Sequence, residues 1–230
     1  MSSIIEQIDG MWNDHNNARK AVFEFSTKAV EDEPENAELL WRLARANYEY
    51  AIEKAVSKEL KKKLTYERLD IANKALSLAP ESGDCHKWVG ISTSEVNEYE
   101  SVITKLNSAM TIRDHFMKAS ELSTTDPMAS HLLGRWCFRV SDMSWVERAA
   151  ARGLAGHLAP HSSFEDALAN FLKSEEMSPG HLKMNTWYIV QTYAKLKHKK
   201  EAKEWAAKVV AMPNLLDEDH DIDALAKAYL

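Results

Sequence analysis

Cysteine, glycine and proline are scarce in this sequence, which has two, seven and six of them among 230 residues. Cys85 and Cys137 are too few and too far apart for a disulfide framework, and neither stands in a redox or zinc pattern. So few glycines and prolines supply little turn material for a sheet of many strands. We therefore exclude a disulfide-rich secreted domain and an all-β fold, and we expect two reduced, buried thiols in a cytoplasmic protein.

Long apolar stretches are missing as well. The longest segment without Asp, Glu, Lys or Arg is Gly153–Phe164, and it contains one proline and two histidines. A membrane-spanning helix needs about 20 predominantly apolar residues, and the N-terminal MSSIIEQIDG has neither the basic nor the apolar region of a secretory signal. The sequence therefore predicts neither a secreted nor an integral membrane protein.

Positive charge is in deficit, because 29 Lys and Arg residues face 35 Asp and Glu residues, and the formal net charge is −6. Proteins that bind nucleic acids depend on a broadly basic surface. We therefore predict that nucleic acid is not a partner, although a local group of cations is compatible with the total.

Motifs for catalysis or metal binding are also missing. The sequence has no glycine-rich phosphate loop, nucleophile elbow or redox cysteine pair. His157 and His161 have the spacing of a zinc pair, but Pro160 lies between them. The acidic run Asp217–Asp223 lacks the glycine and the final glutamate of a calcium loop. We therefore predict no metal site, no cofactor and no enzymatic activity.

Proline marks the ends of repeated helices. Five of the six prolines close a helix rich in Ala and Lys, as in KAVEDEPEN at 28–36 and KALSLAPES at 74–82. Proline cannot continue a helix and biases the preceding residue away from helical angles. After these stops a small residue recurs at a matching place, at Ala44, Gly90 and Gly134, which allows two helix axes to approach closely. These features divide the chain into successive helix hairpins.

The spacing of Ala167, Phe171, Ser174 and Pro179 is that of the second helix of a tetratricopeptide repeat. Abundant Ala, Leu, Glu and Lys favour helix throughout. We therefore predict an all-α fold, a tetratricopeptide-like α-solenoid of stacked antiparallel helix hairpins, in which each hairpin buries an apolar face on the next.

No linker separates independent domains, so residues 1–230 are predicted to form a single domain. The capping box of Ser144 to Glu147 starts a short inserted helix near 144–154. Trp136 and Trp145 are expected to be structural and to wedge this inserted helix against the third hairpin. In the middle of the chain the pattern predicts helices over 83–106 and 109–123.

The first helix of each hairpin lines the concave face of such a stack. Aligning Ala44, Gly90, Gly134 and Ile189 as equivalent positions gives each of four repeats one cation among aromatic or aliphatic neighbours. The predicted groove residues are Trp41, Arg45, Tyr48, Lys87, Ile91, His131, Arg135, Phe138, Lys183 and Tyr193.

Two interpretations of this groove are open. Cations beside aromatic side chains suit an acidic extended peptide or the head group of an acidic phospholipid, because arginine pairs with carboxylate or phosphate through two hydrogen bonds. Alternatively, Trp41, Phe138 and Tyr193 pack in the core between repeats, and the cations are solvated. A shift of one residue in the alignment would change the set.

Two dense groups of lysine lie outside the predicted groove. Each alone is typical of a solvated helix end, whereas together they predict a surface that steers an acidic protein toward the domain and loses affinity in salt. We call them the first lysine cluster (Lys58, Lys61, Lys62 and Lys63) and the second lysine cluster (Lys195, Lys197, Lys199, Lys200 and Lys203).

Three segments are more specific than a general repeat: HKWVGISTSE at 86–95, LLGRWCFRVSDMSWVER at 132–148 and FEDALANFLKSEEMSPG at 164–180. In this order they resemble the regulator of microtubule dynamics family, and the similarity extends over most of the chain, from about Asn36 onward. The GRWC element followed by SW in the second segment carries most of the resemblance.

The resemblance implies a tetratricopeptide-like domain that associates with microtubules and takes part in spindle organisation and chromosome segregation, at the spindle and its poles. Some members are instead anchored to mitochondria by an N-terminal apolar segment, contact a partner in the endoplasmic reticulum and are associated with phospholipids. Because this sequence begins almost directly at the repeats, we expect a cytoplasmic protein without such an anchor. The two lysine clusters suit the acidic tails of tubulin; binding of a phospholipid or an acidic peptide is the alternative.

Overall fold

The computed structural model describes residues 3–14, 17–156, 159–215 and 219–230. All regular secondary structure in these ranges is helical, which confirms the all-α prediction. Of the helices described, none combines the length and the hydropathy that a bilayer-spanning segment needs. The helices are α1 (Ile4–Asn13), α2 (Arg19–Asp32), α3 (Ala37–Ala51), α4 (Lys58–Leu78), α5 (Gly83–Val96), α6 (Val102–Leu122), α7 (Pro127–Ser141), α8 (Trp145–Ala155), α9 (Phe164–Met177), α10 (Lys183–Lys195), α11 (Lys199–Ala211) and α12 (Asp219–Lys227).

Contacts divide the chain into two compact units, unit 1 (Met1–Leu122) and unit 2 (Ser123–Leu230). In unit 1, α3 packs on α4 and α5 packs on α6, and in unit 2, α7 packs on α9 and α10 packs on α11. This arrangement of helix hairpins confirms the predicted tetratricopeptide-like fold class. That residues 1–230 act as one domain stays a prediction.

The core of unit 1 lies between α3, α4 and α5, where Trp41, Ala72 and Trp88 are buried together. The next hairpin closes at Gly90 of α5. A Cβ atom at this position would stand 2.5 Å from Cε1 of Phe116 on α6, a distance that no side chain tolerates. Glycine is therefore required for the close approach that the sequence indicates.

The core of unit 2 is aromatic. Phe171 of α9 is fully buried and stacks on Tyr188 of α10, with ring centroids 5.1 Å apart, while Phe138 of α7 meets Tyr188 edge-on at 5.4 Å. A Cβ atom on Gly134 of α7 would stand 2.7 Å from the Phe171 ring, so α7 and α9 pack directly on each other. The helix between them in sequence, α8, is an insertion within this hairpin.

The boundary between α5 and α6 differs from the predicted one. α5 ends at Val96, a 3₁₀ turn covers Asn97–Tyr99, and α6 begins at Val102, so a continuous helix over 83–106 is wrong. The Ser101 side chain accepts a hydrogen bond from the backbone N–H of Thr104 at 3.2 Å and caps α6. The start of α6 is difficult to predict from the sequence, because no acidic residue completes a capping box after Ser101.

Candidate functional site

The predicted groove cation of α3, Arg45, belongs to a charge network that joins α3 to α1. Nε and Nη2 of Arg42 donate to Asp9 at 3.0 and 2.8 Å, and Nη2 of Arg45 reaches the same carboxylate at 2.7 Å. Arg45 also covers the Trp12 ring, with Cζ 4.2 Å from the centroid. Burial would raise the pKa of Asp9, but the hydrogen bonds from both arginines outweigh it and lower the pKa. The charge of Arg45 is therefore balanced within unit 1.

The aromatic residues of the predicted groove in unit 1 pack against its core. Trp41 is buried, and its indole N–H donates to Glu38 at 3.1 Å. The ring of Tyr48 is half-buried, with its centroid 6.0 Å from that of Trp88. These two residues fit the packing interpretation of the groove.

Lys87 and Ile91 lie on α5. The ammonium group of Lys87 pairs with Asp84 at 2.6 Å, and little of its side chain is exposed. Ile91 is half-buried against the core of unit 1. Both cations predicted for this part of the groove, Arg45 and Lys87, are therefore paired inside the unit.

His131 and Phe138 of α7 lie in the core of unit 2. Only 2% of His131 is exposed, and its Nδ1 donates to Oδ1 of Asn185 at 3.0 Å. Burial lowers the pKa of His131 to about 4, so the imidazole is neutral near pH 7. Phe138 meets Phe164 and Tyr188 edge-on. Neither side chain lines an open groove, because the aromatic core encloses both.

Lys183 of α10 is a buried structural cation. Its Nζ pairs with Asp223 of α12 at 2.7 Å, donates to the carbonyl oxygen of Met212 at 3.0 Å, and also bonds Asn214. The hydrogen bond from Lys183 lowers the pKa of Asp223. Lys183 therefore fastens α12 to α10, and its charge is satisfied within unit 2.

Arg135 and Tyr193 remain nearer the surface of unit 2. Arg135 is exposed, its Cζ lies 5.8 Å from the Tyr188 ring centroid, and it forms no ion pair with the described residues. Tyr193 is half-buried and stacks on His198 with centroids 6.1 Å apart. Among the predicted groove cations, Arg135 is the one whose charge faces solvent.

The first lysine cluster occupies the first turns of α4, and its members are exposed except for Lys61, which is half-buried. Lys63 pairs with Glu67 at 3.5 Å, and Nζ of Lys62 lies 5.5 Å from the Tyr99 ring centroid. The helix macrodipole disfavours cations at this end of a helix. Stabilisation of the α4 dipole therefore does not explain the position of these lysines.

The second lysine cluster spans the end of α10, the connecting turn and the start of α11, and all five side chains are exposed. Lys197 has a φ of 63°, the left-handed conformation that closes the turn. Lys195 pairs with Asp142, which lies two residues before Ser144, the N-cap of α8. The second lysine cluster therefore adjoins the start of α8.

The two tryptophans beside the inserted helix differ in surroundings. Trp136 packs against the aromatic core of unit 2, which fits a structural role, while its predicted wedging of the inserted helix stays a prediction. Trp145 begins α8 and is 80% exposed, so the prediction that it wedges this helix against the third hairpin is wrong. The exposed ring is a surface feature that the sequence pattern did not reveal.

Both cysteines are buried and form no disulfide with the described residues, and burial raises the pKa of the Cys85 thiol. Within the ranges that the structure describes, no three His, Cys, Asp or Glu side chains are grouped to hold a metal ion. His157 of the rejected zinc pair, and Asp217 and Glu218 of the acidic run, lie outside the described residues.

A family model for Regulator of microtubule dynamics protein 1-3 matches residues 4–230. The mouse Regulator of microtubule dynamics protein 1 is 40% identical over 86% of this chain and 65% of its own length. The bovine protein of the same name is 35% identical over the whole chain and 71% of its own length. The bovine Regulator of microtubule dynamics protein 3 is 35% identical over 79% of this chain but only 38% of its own length.

Solved structures resemble the fold. A thermophilic tetratricopeptide protein of Thermus thermophilus has a TM-score of 0.62 at 12% identity, covering 98% of this chain and 96% of that one. The MamA protein has a TM-score of 0.54 at 14% identity, covering 96% and 92%. At these identities the likeness establishes the tetratricopeptide-like fold alone. Because the family model spans nearly all of the sequence, the chain belongs to the Regulator of microtubule dynamics protein 1-3 family.

Proposed function

We propose that this protein binds microtubules directly through exposed cations, chiefly the second lysine cluster and Arg135. The observation that carries the proposal is the exposure of all five lysines of that cluster in one turn and its flanking helices. The relatives are named regulators of microtubule dynamics, and tubulin tails are acidic. Exposed cations attract such a surface over about 10 Å at moderate salt.

The charge distribution favours unit 2 as the main contact. Unit 2 carries 13 Lys and Arg against 14 Asp and Glu, whereas unit 1 carries 16 against 21. The first lysine cluster contributes a second, weaker contact, because it has four lysines, of which Lys61 is half-buried, against five exposed lysines in the second cluster.

We also propose a more specific cellular role, which is non-enzymatic: the helical repeats act as a scaffold in spindle organisation and chromosome segregation. The protein would then lie in the cytoplasm, on the spindle and at its poles. Imaging of the tagged chain in dividing cells tests this role. A diffuse distribution throughout mitosis would contradict it.

Co-sedimentation with polymerised tubulin over a salt series tests direct binding. We expect affinity to fall steeply as salt rises, and the triple variant Lys199→Glu, Lys200→Glu, Lys203→Glu to bind at least about tenfold more weakly. The charge-matched control is Lys20→Glu, Lys28→Glu, Lys74→Glu, three exposed lysines of unit 1 outside both clusters. Equal losses in both variants, or binding indifferent to salt, would contradict the electrostatic mechanism.

Tubulin from which the acidic C-terminal tails have been removed identifies the surface that these lysines meet. We expect the wild-type protein to lose most of its affinity for such microtubules. If the affinity is retained, the lysines contact the body of the tubulin lattice and not its tails. Binding to free acidic peptides but not to microtubules would favour the alternative, an adaptor domain that binds an acidic peptide of another partner.

A further inference from the structure

The inserted helix α8 turns its apolar side to solvent. Trp145, Val146 and Leu154 are 80%, 55% and 54% exposed, while Ala151 is the one buried residue of this helix. Ala149, Ala150 and Gly153 are exposed as well, and no atom would lie within 4 Å of a Cβ on Gly153.

The helical period places these exposed residues together. At 100° per residue, positions 145, 149, 153, 146, 150 and 154 fill one half of α8, and Ala151 lies on the other half. An amphipathic surface helix ordinarily turns its apolar stripe to the core. In α8 the stripe faces outward, and a contiguous exposed apolar surface of this kind marks an interaction site.

Positive charge borders the apolar side of α8. Arg152 is exposed and follows Trp145 by seven residues, so the two share one edge of α8, and the exposed Arg139 in the last turn of α7 is close enough to act on Glu147 through its charge. The nearby acids are already engaged. Glu147 closes the capping box by accepting from the Ser144 backbone N–H at 2.7 Å, and Asp142 pairs with Lys195.

We propose that α8 is the apolar contact by which unit 2 docks on an acidic protein surface, which under the proposed function is the microtubule. The inference rests on that function and assigns it a second element beside the lysines. The Lys195–Asp142 pair supports a continuous surface, because it joins one lysine of the second lysine cluster to a residue two positions before the N-cap of α8. The partner must then offer an apolar depression with carboxylates at its rim.

A second copy of the chain is a poorer occupant. In a symmetric contact through α8, the second copy presents the same surface with Arg152 at its edge, and not an acidic one. A pair of eleven-residue helices alone also falls short of the roughly 1,000 Å² that a stable interface buries, whereas an acidic partner engages the second lysine cluster as well.

The two elements have separable effects on binding. Exposed cations govern the encounter rate and its dependence on salt, whereas buried apolar contacts govern dissociation. The docking of α8 therefore supplies the part of the affinity that persists at high salt. Loss of the α8 contacts lowers the affinity that persists at high salt. It leaves unchanged the salt dependence of the affinity that the lysines supply.

The triple variant Trp145→Gln, Val146→Gln, Leu154→Gln tests the proposal in the full chain by co-sedimentation with microtubules. We expect about tenfold weaker binding, faster dissociation and no residual binding at high salt, at an unchanged melting temperature. The matched control is Leu78→Gln, Val102→Gln, Ile103→Gln, which removes three exposed apolar side chains of unit 1 and leaves binding intact. Hydrogen–deuterium exchange of the wild-type protein adds an independent readout, with protection of residues 145–155 expected on microtubules.

The outcomes separate this inference from the proposed function. If the α8 variant binds like the wild type while the Lys199, Lys200 and Lys203 variant fails, the role of α8 is overturned and the proposed function stands. If the wild type itself does not sediment with microtubules, both are overturned. If the α8 variant loses binding only to vesicles of phosphatidylcholine and phosphatidylserine, the partner is a membrane and the inference is overturned.

Discussion

Helices α3 and α8 carry the same residue types in opposite surroundings. On α3, Trp41 is buried while Arg42 and Arg45 share the carboxylate of Asp9. On α8, Trp145 and Arg152 are exposed. Local composition therefore does not decide whether such a pair builds the core or a surface.

What decides it is a partner from a distant part of the chain. Asp9 precedes Arg42 by 33 residues and Arg45 by 36, and it arrives because α1 packs on α3. A tryptophan beside arginine becomes structural when such a carboxylate and an apolar neighbour are supplied. Where neither is supplied, as on α8, the same residues are left for another molecule.

Replacing each tryptophan by alanine gives the largest contrast. We expect Trp41→Ala to lower the free energy of unfolding by roughly 3–5 kcal/mol, because a buried ring leaves a cavity. Trp145→Ala should change it by less than about 0.5 kcal/mol, since the ring is already in solvent. Urea unfolding measures both, and comparable losses would erase the distinction between α3 and α8.

The two glycines of α7 and α8 extend the contrast to the backbone. Gly134→Leu should cost about 3 kcal/mol, because the new side chain collides with the buried Phe171 ring. Gly153→Ala should instead stabilise by up to about 1 kcal/mol, through helix propensity in open space. Thermal unfolding measures both effects, and a stable Gly134→Leu protein would refute the close packing of α7 on α9.

The arginines provide the next contrast. Arg42→Ala should cost about 2–3 kcal/mol, because it leaves the partly buried Asp9 with Arg45 alone. Arg152→Ala should stay within about 0.5 kcal/mol. A double-mutant cycle of Asp9→Asn with Arg42→Ala measures the coupling directly. Strictly additive losses would mean that the network does not join α1 to α3.

Acid tests the burial of His131. Its pKa in the folded state, about 4, lies below the ordinary 6.5, so the unfolded chain binds more protons between these values. Stability is therefore full above the ordinary pKa and falls as the pH drops, by about 2 kcal/mol between pH 7 and pH 5. His131→Gln should remove this share of the pH dependence, while the exposed His198→Gln should not. Identical pH profiles for all three proteins would contradict the burial of a neutral imidazole.

Much of the fold follows from local chemistry in the sequence. Proline stops and small residues at Gly90 and Gly134 predict the hairpins and their close approaches, because these signals act over a few residues. The start of α6 is missed, since Ser101 caps it without an accompanying acid. The α8 capping box is visible in the sequence for the opposite reason, as Glu147 stands three residues after Ser144.

The candidate site is less predictable, because its charges are assigned by long-range pairing. Lys183 and Asp223 are 40 residues apart, and nothing local to Lys183 indicates that α12 will return to cover it. The repeat alignment therefore finds cations but not which of them stay in solvent. The exposure of the apolar side of α8 could not be predicted for the same reason. Periodicity shows that the helix has an apolar side, but packing decides whether that side faces the core or the solvent.

The insertion of α8 within the α7–α9 hairpin has a consequence for how the exposed surface of α8 can evolve. α7 and α9 pack on each other directly through Gly134 and Phe171. The inserted segment that contains α8 therefore contributes little to the stability of this hairpin. We expect the scaffold to tolerate substitutions or length changes there, so that such changes alter chiefly what the molecule recognises. Evolution can thus change the partner that α8 binds while the helical repeats keep their structure.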